Sequence, residues 1–408
     1  MHFWPLFNIA LRNLGRNRGR TLAAVLTVAS GVVAFLLAGG YINWVFVDMR
    51  EATIHSQLGH IQIVRPQFFD KGIATPYDFL LPADGEEQSI VRDLPGFVSL
   101  APRLTFSGLI NRDETTIAFS GEGIDPVAEK PITTRITLLE GREMESSNEK
   151  SVMLGEGLAN SLGAKPGDTV VLLTNTASGS ASALEVTVAG IFGTITKEYD
   201  DYALRLPIEQ ARKLMRVNSA TSWVVVLDGW QRTDPAVASL GTTLPRSKFE
   251  VVPWHALSDF YNKTVELFKK QVHVVRVIIG LIIVLTISNT LTMAVLERTT
   301  EIGTSLAIGL RRNTIMQLFI IEGFLIGLLG GIIGIVLGFT LGSIISAIGI
   351  PMPAAPGMAH GYTAGIIISP QLAIDAFILA IVTTLLASAF PAWKAGRMNI
   401  VDALRYSQ

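Results

Sequence analysis

Residues Ala294–Thr314 read AVLERTTEIGTSLAIGLRRNT, a tight cluster of charge held between two long apolar runs. Glu297, Arg298 and Glu301 stand at its front, and Arg311 and Arg312 at its back. On a helical projection Glu297, Glu301 and Ser305 share one face with Arg298 flanking them, while Ile302, Leu306 and Gly309 lie on another. The spacing predicts a short amphipathic helix at a membrane surface. Its polar face suits a groove in another protein, and its apolar face suits the membrane or neighbouring helices. The competing reading is a solvated turn that only satisfies topology.

Working outward from this segment, the chain reads as a membrane protein. It has 408 residues, 49% hydrophobic and only 16% charged, with 37 glycines, a profile outside that of ordinary soluble domains. Four stretches reach the ~20 apolar residues that a helix needs to cross a hydrocarbon core. Thr21–Val47 and Val277–Leu296 contain no Asp, Glu, Lys or Arg. Gly323–Ile374 is uncharged too, but Pro351, Pro353 and Pro356 interrupt it after a third span, and a fourth follows with Asp375 near its outer end. The first apolar run far exceeds the ~7–15 residues of a signal-peptide core, so an uncleaved first span is expected.

Basic residues orient the spans. Arg12, Arg16, Arg18 and Arg20 precede the first; Arg298, Arg311 and Arg312 lie between the second and third; Lys394, Arg397 and Arg405 follow the fourth. The connection 351–370 has no Lys or Arg. Both termini and the charged segment are therefore expected in the cytoplasm, and the long insert outside. The expected fold is four transmembrane α-helices with a large α+β extracytoplasmic domain inserted between helices 1 and 2 on a helical stalk. The boundaries are a cytoplasmic interfacial helix over 1–20, spans over 21–47, 271–296, 314–350 and 371–393, and the insert over 48–270. The short charged helix covers 297–313, an outer loop 351–370, and a cytoplasmic tail 394–408. Phe7, Ala10, Leu11 and Leu14 recur at helical spacing in the first segment, which fits an interfacial helix and equally a topogenic basic flank.

Neither Gly nor Pro occurs between Tyr41 and Leu58 or between Trp254 and Ile279. Both spans are thus expected to run on beyond the membrane as an antiparallel stalk, with one helix continuous from Trp254 to Leu296. Within the insert, HIQIVRP, GLINRD, TIAFSGEGI, DTVVLLT, LEVTVAGIF and SWVVVLD read as strands. GEGLANSLGAKPGD (155–168) reads as a helix stopped at Gly163, and Pro207–Met215 as another. The strand-rich stretch 115–228 is expected as a subdomain on a base of 52–112 and 229–255. In the third span Gly330, Gly334, Gly338 and Gly342 fall four apart beside Gly327 and Gly331. That smooth face is built for close helix approach within the bundle or across a dimer, with a substrate groove as the sharper alternative.

Little in the chain suggests chemistry. There is no cysteine, hence no disulfide or thiolate site. GxxxxGK[ST] and HExxH are absent, and of six scattered histidines only His55 and His60 lie close in sequence. A net charge of −1 gives no global field for nucleic acid. No metal, cofactor or catalytic residue is expected. Two charges stand near membrane depth. Glu322 opens the third span and is a candidate on that ground, with a position at the interface as the alternative; Arg276 is expected to snorkel toward the outer surface.

LERTTEIGTSLAIGLRRNTIMQLFIIEGFLIGLLGGIIGIVLG (296–338) resembles the coupling loop and third span of the FtsX/MacB-type permeases of ABC transporters. ALRNLGRNRGRTL (10–22) and PAWKAGRMNIVDALR (391–405) resemble that family's ends, and SVMLGEGLANSLGAKPGDTV (151–170) a stretch of its large periplasmic domain. The resemblance implies a multi-pass protein of the bacterial inner membrane, working with a second permease copy or paralogue and a cytoplasmic ABC ATPase. With no ATPase motif in this chain, ATP and Mg would be bound by the partner. Coupling to it would fall to Glu297, Arg298, Thr299, Glu301, Ile302, Gly303, Leu306 and Gly309. The insert's size favours the LolC/LolE-like or split MacB-like branches. The implied work is mechanotransmission that extracts or exports a hydrophobic cargo (lipoprotein, lipid or drug-like), with a periplasmic adaptor or carrier left open. The alternative is a signal relay that activates a periplasmic partner such as a cell-wall hydrolase.

Overall fold

A computed structural model describes residues 3–72, 75–83, 85–194, 196–353 and 361–399; His2, Pro356, His360 and Arg405 lie outside the described residues. The chain divides into two compact units, one of Met1–Val47, Thr264–Pro351 and Thr363–Gln408, the other of Asp48–Lys263 and Met352–Tyr362.

The first unit is helical. Its elements are α1 (Phe3–Arg16), α2 (Arg18–Thr53) as far as Val47, α3 (Asp259–Glu297) from Thr264, α4 (Thr299–Ala307), α5 (Arg312–Ile348) and α6 (Pro370–Gly396). Among the described residues, α2, α3, α5 and α6 are long and apolar enough to cross a membrane. Their shared core packs Val28, Val32 and Leu36 of α2 against Ile283 and Ile287 of α3 and Ala380 of α6. Outward, Leu281, Leu285, Val336 and Leu386 are exposed, as suits helices solvated by hydrocarbon rather than water.

The glycines of α5 explain the closeness of this packing. A Cβ at Gly330 or Gly334 would stand 2.6 Å from the Cβ of Val28 or Val32, and one at Gly338 2.6 Å from Leu36 Cδ1, all on α2. A Cβ at Gly327 would overlap Thr384 Oγ1 of α6, and one at Gly331 would come within 3.0 Å of Phe377 on the same helix. At Gly342 the nearest atom is Ile368 Cδ1, at 3.0 Å. All six positions are filled by helices or segments of the same chain. Small residues replace the hydrophobic effect here, because lipid competes for apolar surface and only close backbone approach adds dispersion.

The second unit is α+β, built on β1 (Ile61–Val64), β2 (Phe97–Arg112), β3 (Thr115–Ile124), β4 (Thr137–Gly141), β5 (Ser151–Gly155), β6 (Thr169–Asn175), β7 (Ala181–Gly193), β8 (Ala203–Pro207), β9 (Ser222–Leu227) and β10 (Glu250–Pro253). They follow the order β10-β1-β9-β2-β3-β8-β5-β7-β4, and β6 pairs with both β2 and β7. That double pairing closes β2, β3, β8, β5, β7 and β6 into a six-stranded ring. The ring surrounds Leu104, Phe106, Phe119, Leu154, Leu172 and Val188. Ile61 and Ile63 of β1 and Trp223 and Val225 of β9 form a second core with Leu100 from the start of β2.

The expected division of the insert is corrected by this topology. SWVVVLD belongs to the second core rather than to the strand-rich middle, and β2 is shared, with Leu100 in one core and Leu104 in the other. The helix predicted from Trp254 to Leu296 is also broken. Residues Trp254–Leu257 form a separate turn and α3 starts at Asp259. The side-chain amide of Asn262 donates to the His255 carbonyl at 2.7 Å, taking the acceptor that a continuous helix would need.

After Thr53, the chain of α2 enters a π-helical turn, Ile54–Leu58, which ends at Gly59 with φ 63°. Two buried arginines from the strands hold this turn. Arg103 donates to the Gln57 carbonyl, and Arg205 to the Ser56 carbonyl at 3.1 Å. Glu129 and Glu122 balance them, Glu129 paired to Arg103 and Glu122 Oε2 lying 3.5 Å from Arg205. Buried ions survive where geometry supplies partners for both signs, and here carbonyls at a helix end add negative potential.

Beside this turn His60 is buried, and its Nδ1 accepts from the Leu227 N–H at 3.2 Å. Burial, then the neighbouring His55, lowers its pKa to about 4. The unfolded chain takes up this proton near pH 6.5 and the folded one only near 4, so stability is complete above about pH 6.5 and declines as pH falls through that window. A loss of about 3 kcal/mol is expected across it. His60→Asn, whose Oδ1 can accept in place of Nδ1, should flatten the decline. Denaturant midpoints of the full chain between pH 7 and 4.5 check this; an unchanged slope would exclude His60 as its source.

Candidate functional site

The charged segment folds as predicted in kind but is wired differently. α3 ends at Glu297, Arg298 occupies the bend with φ −98° and ψ 14°, and α4 runs Thr299–Ala307. Thr299 Oγ1 donates to the Leu296 carbonyl at 2.6 Å, securing the bend. Ile302 and Leu306 are buried with Val295, Ile315, Phe319, Ala392 and Ala395. Gly303 is buried on the same side. This apolar face thus packs against α3, α5 and α6.

Gly309 is corrected. It is not on the apolar face but past the helix end, exposed, with φ 102°. Its N–H donates to Leu306 O and that of Leu310 to Ser305 O, both at 3.0 Å. Such a C-terminal turn requires the positive φ that glycine adopts without a Cβ clash. Ile308 beside it is 79% exposed, the most exposed large apolar side chain of the segment.

Arg298 is corrected too. Far from flanking an exposed polar face, its side chain is buried at 9% exposure, against 3% for Glu322. Arg298 Nη1 donates to Glu322 Oε1 at 2.9 Å, and Asn13 Nδ2 of α1 donates to the same oxygen at 2.8 Å. Arg298 Nη2 closes the triangle on the Asn13 carbonyl at 3.3 Å. One carboxylate oxygen thereby ties α1, the α3–α4 bend and α5 together. α1 reaches this place by packing Leu6 and Ala10 on Ile321 and Leu325 of α5.

Glu297 and Glu301 face outward, but neither stands alone. Glu297 is paired with Arg20, and Glu301 Oε2 lies 2.8 Å from Arg16 Nη2. The outward strip of α4 is then Thr300, Glu301, Thr304 and Ala307, continuing to Ile308. Sequence reasoning missed Asn13, Arg16 and Arg20 as members of this site. The available signal was an N-terminal segment with four arginines and no acid, set against three glutamates within 297–322. At the other end of the helices, Arg276 does not simply snorkel. Its Nη2 is 3.0 Å from Asp375 Oδ2, and its guanidinium lies over the Phe35 ring.

The family described as MacB-like periplasmic core domain matches residues 21–242, and FtsX-like permease C-terminal matches residues 274–400. The lipoprotein-releasing system transmembrane protein LolC of Neisseria meningitidis is 22% identical over 317 residues, covering 74% of this chain and 72% of that protein. The macrolide export ATP-binding/permease protein MacB of Escherichia coli K12 is 34% identical over 143 residues, 35% of this chain and 20% of that protein. Among solved structures, the periplasmic region of MacB from Actinobacillus actinomycetemcomitans aligns with a TM-score of 0.38 at 12% identity, over 54% of this chain and 96% of that one.

The buried triangle gives a direct expectation. Arg298→Met strands the Glu322 carboxylate and should cost about 3–5 kcal/mol, whereas Arg298→Met with Glu322→Leu should recover most of that loss. Thermal midpoints of the detergent-solubilised full chain measure both. Equal destabilisation by the single and double variants would show that the pair is not coupled.

Proposed function

Since the chain belongs to the ABC transporter permeases of the FtsX-like family, with a MacB-like periplasmic core domain, we propose that it couples ATP hydrolysis by a separate cytoplasmic ATPase to movement of that domain. In this reading both termini and α4 are cytoplasmic, the protein sits in the inner membrane, and a second permease copy or paralogue completes the assembly. ATP and Mg belong to the ATPase. The work done is extraction or export of a hydrophobic cargo, the class to which the names of LolC and MacB relatives point.

One observation carries the proposal. α4 is anchored on its inner face by Ile302 and Leu306 and leaves an outer strip ending in the exposed Ile308. A load applied to that strip reaches α3 and α5 through packed side chains and the Arg298–Glu322 pair rather than through a loose loop. α2 and α3, at 36 and 39 residues, are about 54 and 58 Å long at 1.5 Å per residue, well beyond the ~30 Å of a hydrocarbon core. Long unbroken helices suit mechanical transmission.

Purification from native membranes should bring an ABC ATPase along. Ile308→Asp, at an exposed position, should leave the thermal midpoint within about 1 °C while lowering ATPase retention at least tenfold. Reconstituted vesicles should then release cargo into solution only with ATP. Absence of any co-purifying ATPase would sink the reading, and ATPase coupling without cargo release would turn it toward a signal relay.

A further inference from the structure

We infer that the surface offered to the ATPase is a composite of α1, α2's first turn, α4 and the Arg311–Arg312 start of α5, basic rather than acidic, and that it fits an acidic groove with an apolar floor. The inference rests on the reading that an ATPase docks on α4, and it specifies what that docking must look like.

The segments 10–20 and 296–322 carry seven arginines and three glutamates. Each of the three glutamates already has an arginine: Glu322 has Arg298, Glu301 has Arg16, and Glu297 has Arg20. Arg12, Arg18, Arg311 and Arg312 are exposed and make no ion pair among the described residues. Taken alone, α4 and its flanks are balanced, with Glu297 and Glu301 exposed against Arg311 and Arg312. With α1 in place the balance tips positive, because α1 and the start of α2 pair with both glutamates and add Arg12 and Arg18.

The two outer pairs are too solvent-exposed to hold α1 by themselves. Side-chain exposure is 52% and 59% for Arg16 and Glu301, and 30% and 45% for Arg20 and Glu297, the regime in which such pairs contribute little. Position comes instead from Leu6 and Ala10 on α5 and from Asn13 on Glu322. What the outer pairs do is set the potential a partner meets. Among that charge stands Ile308, with the less exposed Leu310 beside it, an apolar knob that an ATPase groove can bury, with carboxylates at its rim facing the arginines. Complementary potentials of this kind govern register and association rate, and they weaken with salt.

The test uses the full chain in nanodiscs of uncharged phosphatidylcholine, with the ATPase that co-purifies with it, and reads their Kd at low and high salt. Glu301→Gln frees Arg16 and should tighten binding up to threefold at low salt. Arg311→Gln with Arg312→Gln should weaken it about tenfold at low salt, the difference shrinking at high salt. Both variants alter exposed side chains, and unchanged thermal midpoints confirm the fold. Weakening by Glu301→Gln with a silent arginine pair would overturn the inference and leave ATPase docking standing. So would an arginine effect that appears only in nanodiscs containing phosphatidylglycerol, which would assign those arginines to lipid. If the wild-type chain retains no ATPase, the functional reading falls and this inference falls with it.

Discussion

Taking a carboxylate and a guanidinium out of water costs several kcal/mol per ion, and a protein keeps such a pair only where further hydrogen bonds satisfy both. Arg298 and Glu322 meet that condition through a third residue, Asn13, whose amide donates to the carboxylate while its carbonyl accepts from the guanidinium. The consequence is positional. Two long helices, the short helix between them and the N-terminal helix are fixed at one point. The apolar packing of Ile302 and Leu306 supplies area around that point but no direction, since dispersion is indifferent to small rotations. The polar triangle supplies the direction.

The same solution recurs in the α+β unit. Arg103 and Arg205 donate to the carbonyls of the π-turn that ends the first long helix, and two glutamates balance their charge. In both places a guanidinium reads a main-chain carbonyl, so the backbone itself is gripped. Apolar substitutes of equal volume could match the stability but would not fix the backbone oxygen in place. The buried charge therefore sits at the ends of helices, where orientation matters, and is sparse in the spans themselves.

Much of the molecule was legible from local pattern. Uncharged runs gave the four long helices, β-branched clusters gave most strands, and the spacing of Ile302 and Leu306 gave the inner face of α4. The glycines at 330, 334 and 338 announced close packing, although only the fold shows that α2 fills their groove. What escaped was pairing at a distance. Nothing near Arg298 says that its partner is Glu322, still less that Asn13 joins them, and Arg276 gives no hint of Asp375. Ring closure through β6 likewise depends on Leu109–Asn111 meeting Val171–Leu173, a register that neither strand encodes alone. Even the break at Ser258 arises from a side-chain amide competing for one carbonyl, an effect invisible to periodicity.

The pairing of β1 with β10 matters for the making of the protein as well as for its form. Ile61 of β1 lies opposite Pro253 of β10, so the outermost strand pair of the sheet joins residues from the two extremes of the α+β unit. During synthesis β1 must wait with both edges unpaired until Ser222–Leu227 emerges, and with one still open until Glu250–Pro253 follows. A waiting edge is a template for wrong partners, and non-local closure is slow. Pro253 emerges only a few residues before α3, so completion of the sheet and arrival of the second apolar helix fall close together. Substitutions that delay closure would thus surface as defects in biogenesis, seen in how much protein accumulates, before they surface in how the finished protein performs.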